Sequence, residues 1–368
     1  MQQNLVEEVK YALGKKKDDD NHLLFDLWVE KKLPQHLWPK LTVGGDIAWQ
    51  KRSSGNSYSS LSGDASFIGQ HTQKPIAWHV MGKACLFCQG WQRGKHKNNP
   101  IPQHSCRVNW DGSSGAMEPA AILEMYKLLF EKYHVVVDFL ITDDDISIKA
   151  TMKWSNADTM TNLGLNEPPH IINPKGEKVV RPDKGGTPAH MPETKFAADP
   201  NHRKKSLNNV LCQLESYNND KSMTMTKMDV LRLGTSFAHM VRMLPYCEEC
   251  NYVNKGKAVL QHHFDNHEYC GDWYCRKEQT QQQKEDAKKH YRSKETDPKL
   301  YNELEKRIDR FITLDAFKEV SHGMDTNTNE SFNNVVAWLA PKNKTYSKSK
   351  SLKKQNISCS WCYIHWIA

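Results

Sequence analysis

The run VVVDFLIT, Val135 to Thr142, constrains this chain more than any other stretch. It is short, β-branched and almost continuously apolar, the pattern of a strand covered on both faces rather than one with a solvated side. Such a strand belongs in the interior of a sheet. A helix signal precedes it directly. Ser113-Ser114-Gly115 leads into Glu118-Pro119, with proline in the first turn, and Ile122, Met125, Tyr126, Leu129 and Tyr133 recur at helical spacing. The strand ends in Asp143-Asp144-Asp145. Three consecutive carboxylates repel one another and gain no packing, so stability does not explain them, whereas a divalent cation does.

Upstream, LTVGGDIAWQKRSSGNSYSSLSG (Leu41 to Gly63) starts with a second strand signal. Leu41, Val43 and Ile47 predict a short buried strand, and Asp46 sits inside it. A carboxylate there is costly to bury without a partner or a metal. Ala65 to Gly69 and Pro75 to Met81 read as two further strands joined by a turn at Thr72–Lys74, which makes an antiparallel meander. Residues 1–40 form an N-terminal extension, with one helix expected around Leu23, Leu24, Phe25, Leu27 and Trp28 and a solvated linker in the Lys/Asp run at 15–20. This extension holds no complete DNA-binding module.

With 368 residues the chain has room for one large domain with an insertion, or for two smaller ones. No apolar run reaches the roughly eighteen residues a membrane helix needs. The charged start MQQNLVEEVKYALGKKKDDD lacks the apolar segment of a secretory signal. A net charge of +8 favours a polyanionic partner. Ten cysteines include the C-x2-C pairs Cys85/Cys88, Cys247/Cys250 and Cys359/Cys362. Without a secretory signal that spacing points to metal ligation, not to disulfides, in an intracellular protein with no membrane segment.

Two stretches carry the soft ligands. Cys85-x2-Cys88 and His104-x-Cys106 bracket a polar loop, an arrangement suited to a structural zinc ion that replaces a core. Further on, Cys247-x2-Cys250-x12-His263-x3-His267 has the spacing of a two-Cys, two-His finger, with Leu260 where such a finger wants leucine but Asn254 where it wants an aromatic. Cys270 and Cys275 compete as ligands, so at least one zinc is expected here and the choice of four residues stays open.

From 156 to 320 the character is helical with long polar loops, including a proline-rich excursion over 164–195. ADPNHRKKSLNNVLCQLESY predicts a helix with Asp199 as N-cap and Pro200 at its first position, Val210, Leu211 and Leu214 on its apolar side, and His202 one turn from Asp199. Charged helices are expected over Gln279 to Arg292 and Pro298 to Phe317. In residues 321–345, Phe332, Val335, Val336 and Leu339 form a helical stripe that leaves Glu330 off the core face. The tail, 346–368, is basic and then abruptly aromatic.

In order, then, the chain offers an acid on a first strand, acids ending a later interior strand, and an acid on a late helix. Three meander strands, a helix and a buried strand are the order of the ribonuclease H-like fold, an α/β architecture with a mixed sheet flanked by helices. Residues 41–155 supply its first part and 321–345 its last helix, with the mainly helical insertion, 156–320, between the second and third acids. The first and fourth strands of that fold are neighbours, so Asp46 and Asp143 converge there. Paired carboxylates of this kind hold two Mg²⁺ ions about 4 Å apart for displacement at phosphorus.

DIAWQKRSSGNSYSSLSG, CRVNWDGSSGAMEP, ITDDDIS, ADPNHRKKSL, NHEYCGDWYC and NTNESFNNVVAWLAPK together resemble the Mutator-like transposases of eukaryotic DNA transposons, over about residues 40 to 345. The resemblance implies a nuclear DDE-type enzyme that cuts DNA at transposon ends and joins the 3′-hydroxyl to target DNA, using Mg²⁺ or Mn²⁺ and acting as a homo-oligomer on paired ends. Carried across by motif, Asp46 is the first acid, Asp143 the second and Glu330 the third. Asp145 is the fallback for the second acid, and Asp199 with His202 matches an element thought to lie beside the active site. Full-length relatives have an N-terminal DNA-binding region that is not recognised here, and the tail departs from the family pattern. The expectation is therefore a shortened copy whose activity is open. The competing expectation is a non-catalytic, zinc-dependent DNA-binding protein derived from a transposon.

Overall fold

The structure, a computed structural model, describes residues 2–49, 60–94, 98–143, 148–149, 170–172, 178–180, 194–216, 225–275 and 291–339. Asp144, Asp145, the loop at 50–59, most of the proline-rich excursion, most of the helix expected from Gln279, Cys359, Cys362 and the whole tail fall outside them. The chain divides into two compact units, residues 1–196 with 326–368 and residues 197–325.

The first unit is α/β. Strands β1 (Lys40–Trp49), β2 (Ser62–Gly69) and β3 (Pro75–Gly82) form the meander, each antiparallel to the next. Helices α1 (Gln2–Leu13), α2 (Leu24–Val29), α3 (Leu86–Arg93) and α4 (Met117–Lys127) complete the unit's N-terminal half. After α4 the chain passes one wide turn (Leu128–Lys132) and enters β4 (Val136–Thr142). β4 lies parallel to β1, and the five-stranded sheet has the order β3-β2-β1-β4-β7, where β7 is Lys195–Ala198. The apolar run is thus an interior strand with neighbours on both sides. A small hairpin, β5 (His170–Ile172) with β6 (Lys178–Val180), stands apart from this sheet.

Alternation along β1 and β2 decides what each face covers. Val43, Ile47, Ala65 and Phe67 enter the main core with residues of α1 and α4, among them Leu5, Val9, Ile122 and Met125. Ile68, next to Phe67 and so pointing the other way, packs with Phe332 and Val336 of the last described helix, α11 (Asn327–Leu339). The N-terminal segment is part of this fold. Glu8, fully buried on α1, accepts backbone N–H groups of His71 and Thr72 at 3.1 and 2.9 Å, and Asn4 donates to the Pro75 carbonyl at 2.9 Å. These bonds tie α1 to the β2–β3 turn.

The second unit is helical, with α5 (Pro200–Ser216), α6 (Lys227–Met243), α7 (Tyr252–His263), the single turn α8 (Gly271–Tyr274), α9 (Pro298–Ile308) and α10 (Leu314–Lys318). Leu207, Leu211, Leu233, Phe237, Leu304 and Phe317 sit at its core. The continuous helix expected to Phe317 breaks after Ile308, and α10 starts anew where the Thr313 hydroxyl accepts the Ala316 N–H at 3.1 Å. Asp229 is its polar hub. It forms a capping box with Thr226 and receives Arg292 Nη2 at 2.6 Å, while His263 Nε2 lies 3.3 Å away.

Candidate active site

Asp46 is reached through the register of β1. Thr42, Val43 and Gly44 pair with Phe139, Leu140 and Ile141 across the parallel β1–β4 ladder. The ladder ends there; Asp46 lies two residues further along β1, and Asp143 is the residue that follows β4. On the other side of β1, Asp46 pairs with Ser66. This is the face on which α11 lies, because the even-numbered residues of β1 and β2 point to it.

Two asparagines of α11 grip this face. Asn329, fully buried, donates from Nδ2 to the carbonyls of Gly44 (3.0 Å) and Ser66 (3.4 Å). Such an approach requires glycine at 44, since a Cβ there would run into Asn329 Oδ1. One turn on, Asn333 Nδ2 donates to Asp46 Oδ2 at 2.6 Å, and Asp46 Oδ1 accepts the N–H of Ile47 at 2.7 Å. Glu330 is exposed on α11, three residues before Asn333 and hence its neighbour on the helix surface. Strand and helix thus bring Asp46 and the turn of α11 that carries Glu330 to one sheet face, while Asp143 directly follows the neighbouring strand β4. The sequence reading overlooked Asn329 and Asn333, although both share the spacing of the apolar stripe it did find. Asp199 and His202 open α5 in the second unit. Asp199 Oδ1 accepts the Asn201 N–H at 2.6 Å and so acts as the expected N-cap.

Hard oxygen ligands suit a divalent cation. The polar atoms on this face include Asn329 Oδ1 and Ser66 Oγ, both buried and without a hydrogen-bond partner. A carboxylate end of a strand with such oxygens beside it fits Mg²⁺ or Mn²⁺.

Two soft sites are also assembled. Sγ of Cys85, Cys88 and Cys106 and Nε2 of His104 lie within 4.8 Å of one another. His104 Nε2 is 3.5 Å from Cys85 Sγ and 3.3 Å from Cys88 Sγ, and Cys88 and Cys106 sulfurs are 3.5 Å apart. A tetrahedral zinc with bonds of about 2.0 and 2.3 Å separates its ligands by roughly 3.4–3.8 Å, so the fit is close. The His104 Nδ1 sits 2.8 Å from the Pro102 carbonyl, which fixes the proton there and frees Nε2. Burial pushes the Cys85 thiol up, but backbone N–H groups of Cys88 and Arg107 and the His104 ring outweigh it and bring it to about 6. Lost hydration and the neighbouring thiols of Cys106 and Cys85 push Cys88 up to about 11.

The second group is His262, His267, Cys270 and Cys275. Both imidazoles offer Nδ1, 3.2 Å apart; His262 Nδ1 is 3.4 Å from Cys270 Sγ and 3.5 Å from Cys275 Sγ. Their outer nitrogens meet Tyr291 (3.4 Å) and Asp265 (3.2 Å). Burial, with His267 and His263 nearby, lowers His262 to about 4, so it is neutral, as a ligand must be. The two-Cys, two-His spacing is not what assembles. Helix α7 turns His263 toward Asp229 and leaves its neighbour His262 facing the thiols. Cys247 Sγ donates to the Leu244 carbonyl and Cys250 Sγ to Glu248, and neither joins a ligand group among the described residues. The one signal for His262 was its place beside His263.

The class defined by this geometry is an α/β protein built on a mixed five-stranded sheet, with one acid on β1, another directly after its parallel neighbour β4, and two preformed Cys/His clusters. Residues 2–163, which carry β1 to β4, match the family model of the Mutator-like transposases. Searches of curated proteins and of solved structures found no match. No helix among the described residues is long and apolar enough to cross a membrane.

Proposed function

We propose that the chain is the catalytic core of a DDE-type transposase with a ribonuclease H-like fold, acting on DNA at transposon ends in the nucleus as a homo-oligomer. Asp46, Asp143 and Glu330 are the metal-holding acids. The observation that supports this reading is the parallel pairing of β1 with β4, with Asp46 on β1 and Asp143 directly after β4, together with the bond from Asn333 of α11 to Asp46. The family match over residues 2–163 supports it from the sequence side. Two bound Mg²⁺ or Mn²⁺ ions would activate the attacking oxygen and stabilise the leaving one in an in-line displacement. The protein's own part is to hold the carboxylates at fixed separation and, through its +8 charge, to gather the phosphodiester backbone. The Cys85/Cys88/His104/Cys106 and His262/His267/Cys270/Cys275 groups hold structural zinc. The roles of Asp199 and His202 in catalysis rest on the resemblance alone, and so does that of Asp145.

The test is strand transfer on a terminal-repeat duplex with Mg²⁺ or Mn²⁺. Asp46→Asn, Asp143→Asn and Glu330→Gln each abolish it while leaving DNA affinity and zinc content intact. Activity near the parent's in any one variant removes that residue from its role. The preformed Cys/His groups favour one alternative, a zinc-dependent DNA-binding protein without catalysis. A parent chain that binds DNA and zinc but neither binds Mn²⁺ nor cleaves DNA establishes that alternative.

A further inference from the structure

We propose that Asn333 is a positioning residue for Asp46, holding its carboxylate in the one orientation from which a divalent cation is bound. The inference rests on the proposed function of this face and adds a residue that neither the acid pattern nor the family match, which ends at 163, assigns. Asp46 is gripped from two directions. The strand supplies the Ile47 N–H to Oδ1 at 2.7 Å, and the helix supplies Asn333 Nδ2 to Oδ2 at 2.6 Å. One donor holds a carboxylate by a single oxygen, whereas two donors on different oxygens fix its plane. Asn333 is itself held in place, because Asn329, one turn earlier, anchors α11 to the carbonyls of Gly44 and Ser66. The relay therefore runs from Gly44 through Asn329 and Asn333 to Asp46, two residues beyond where it began. It couples the helix that carries Glu330 to the strand that carries the first acid. Without the amide, Asp46 loses one of the donors that orient it, and ordering it on binding weakens the ion's hold. Losses of about 10- to 100-fold in affinity are usual when such an outer partner of a ligand is removed.

The test measures Mn²⁺ binding to the full chain by calorimetry, with thermal melting in metal-free buffer alongside. Asp46→Ala calibrates the site. If the parent binds Mn²⁺ no better than Asp46→Ala, the metal reading of this face fails and the inference falls with it. If the parent binds better, Asn333→Leu is expected to lose about tenfold or more in affinity with a melting temperature close to the parent's. Affinity equal to the parent's, or a loss explained wholly by unfolding, overturns the positioning role and leaves the metal reading standing. Asn333→Asp keeps the shape but removes the donor, and a loss like that of Asn333→Leu supports the role. Tighter binding by Asn333→Asp overturns it, since Asn333 Oδ1 would then be a direct ligand.

Discussion

Asp229 shows what a single buried charge does in this chain. Burial alone would raise its pKa, but the His263 ring, the Arg292 guanidinium and Thr226 together hold its carboxyl well below the usual carboxylate range. A carboxylate whose folded value is depressed contributes stability above its unfolded pKa of about 4, and that contribution is lost as the pH falls toward the folded value. Arg292→Leu leaves the charge buried without its strongest donor and is expected to cost about 3 kcal/mol at pH 7. The difference from the parent shrinks only as the pH falls through the variant's higher folded value, because the parent's folded carboxyl stays ionised well below the usual range. Denaturant melts at pH 7 and at steps toward low pH follow it, and a variant as stable as the parent at pH 7 contradicts the assignment. The same residue explains the misread finger. His263 has the right spacing for zinc, but spacing along a helix does not say which of two adjacent imidazoles turns inward, and a carboxylate 34 residues earlier in sequence decides it.

Among the elements, α3 has no buried residue of its own, so packing gives its eight residues little reason to stay helical. The Cys85 site sits at its start and takes the place of a core. Cys106→Ser is expected to remove one of two zinc ions per chain and to melt α3 while the sheet stays folded. Zinc analysis with backbone amide exchange checks this, and a protected α3 without its zinc would refute it. The strands and α4 were legible in the sequence because β-branched runs and helical spacing reflect burial directly. So was the N-cap Asp199, which its Pro200 neighbour marks. That β1 and β4 are neighbours was legible only through the expected strand order, since strand pairing is a long-range property. The asparagines of α11 were not legible. Asn329 and Asn333 look polar and unremarkable in sequence, and only the glycine at 44 and two carbonyls on other strands make one of them a core residue.

At the scale of the molecule, residues 197–325 have their own apolar core, their own Cys/His cluster and their own buried ion pair. Expressed alone with zinc, this segment is expected to melt cooperatively as a helical unit holding one metal ion, and to lose that transition on chelation. Circular dichroism with zinc titration measures both, and a non-cooperative, metal-independent signal shows that its stability is borrowed from the rest of the chain. The first unit, by contrast, is discontinuous, since α11 returns to β1 only after the whole insertion. During synthesis the ribosome therefore releases the strands bearing Asp46 and Asp143 long before the helix that covers Ile68 and reaches Asp46. A nascent chain halted ahead of residue 327 presents a greasy, half-finished sheet to chaperones, and whatever chemistry that face performs waits until the helix beyond the insertion has been made.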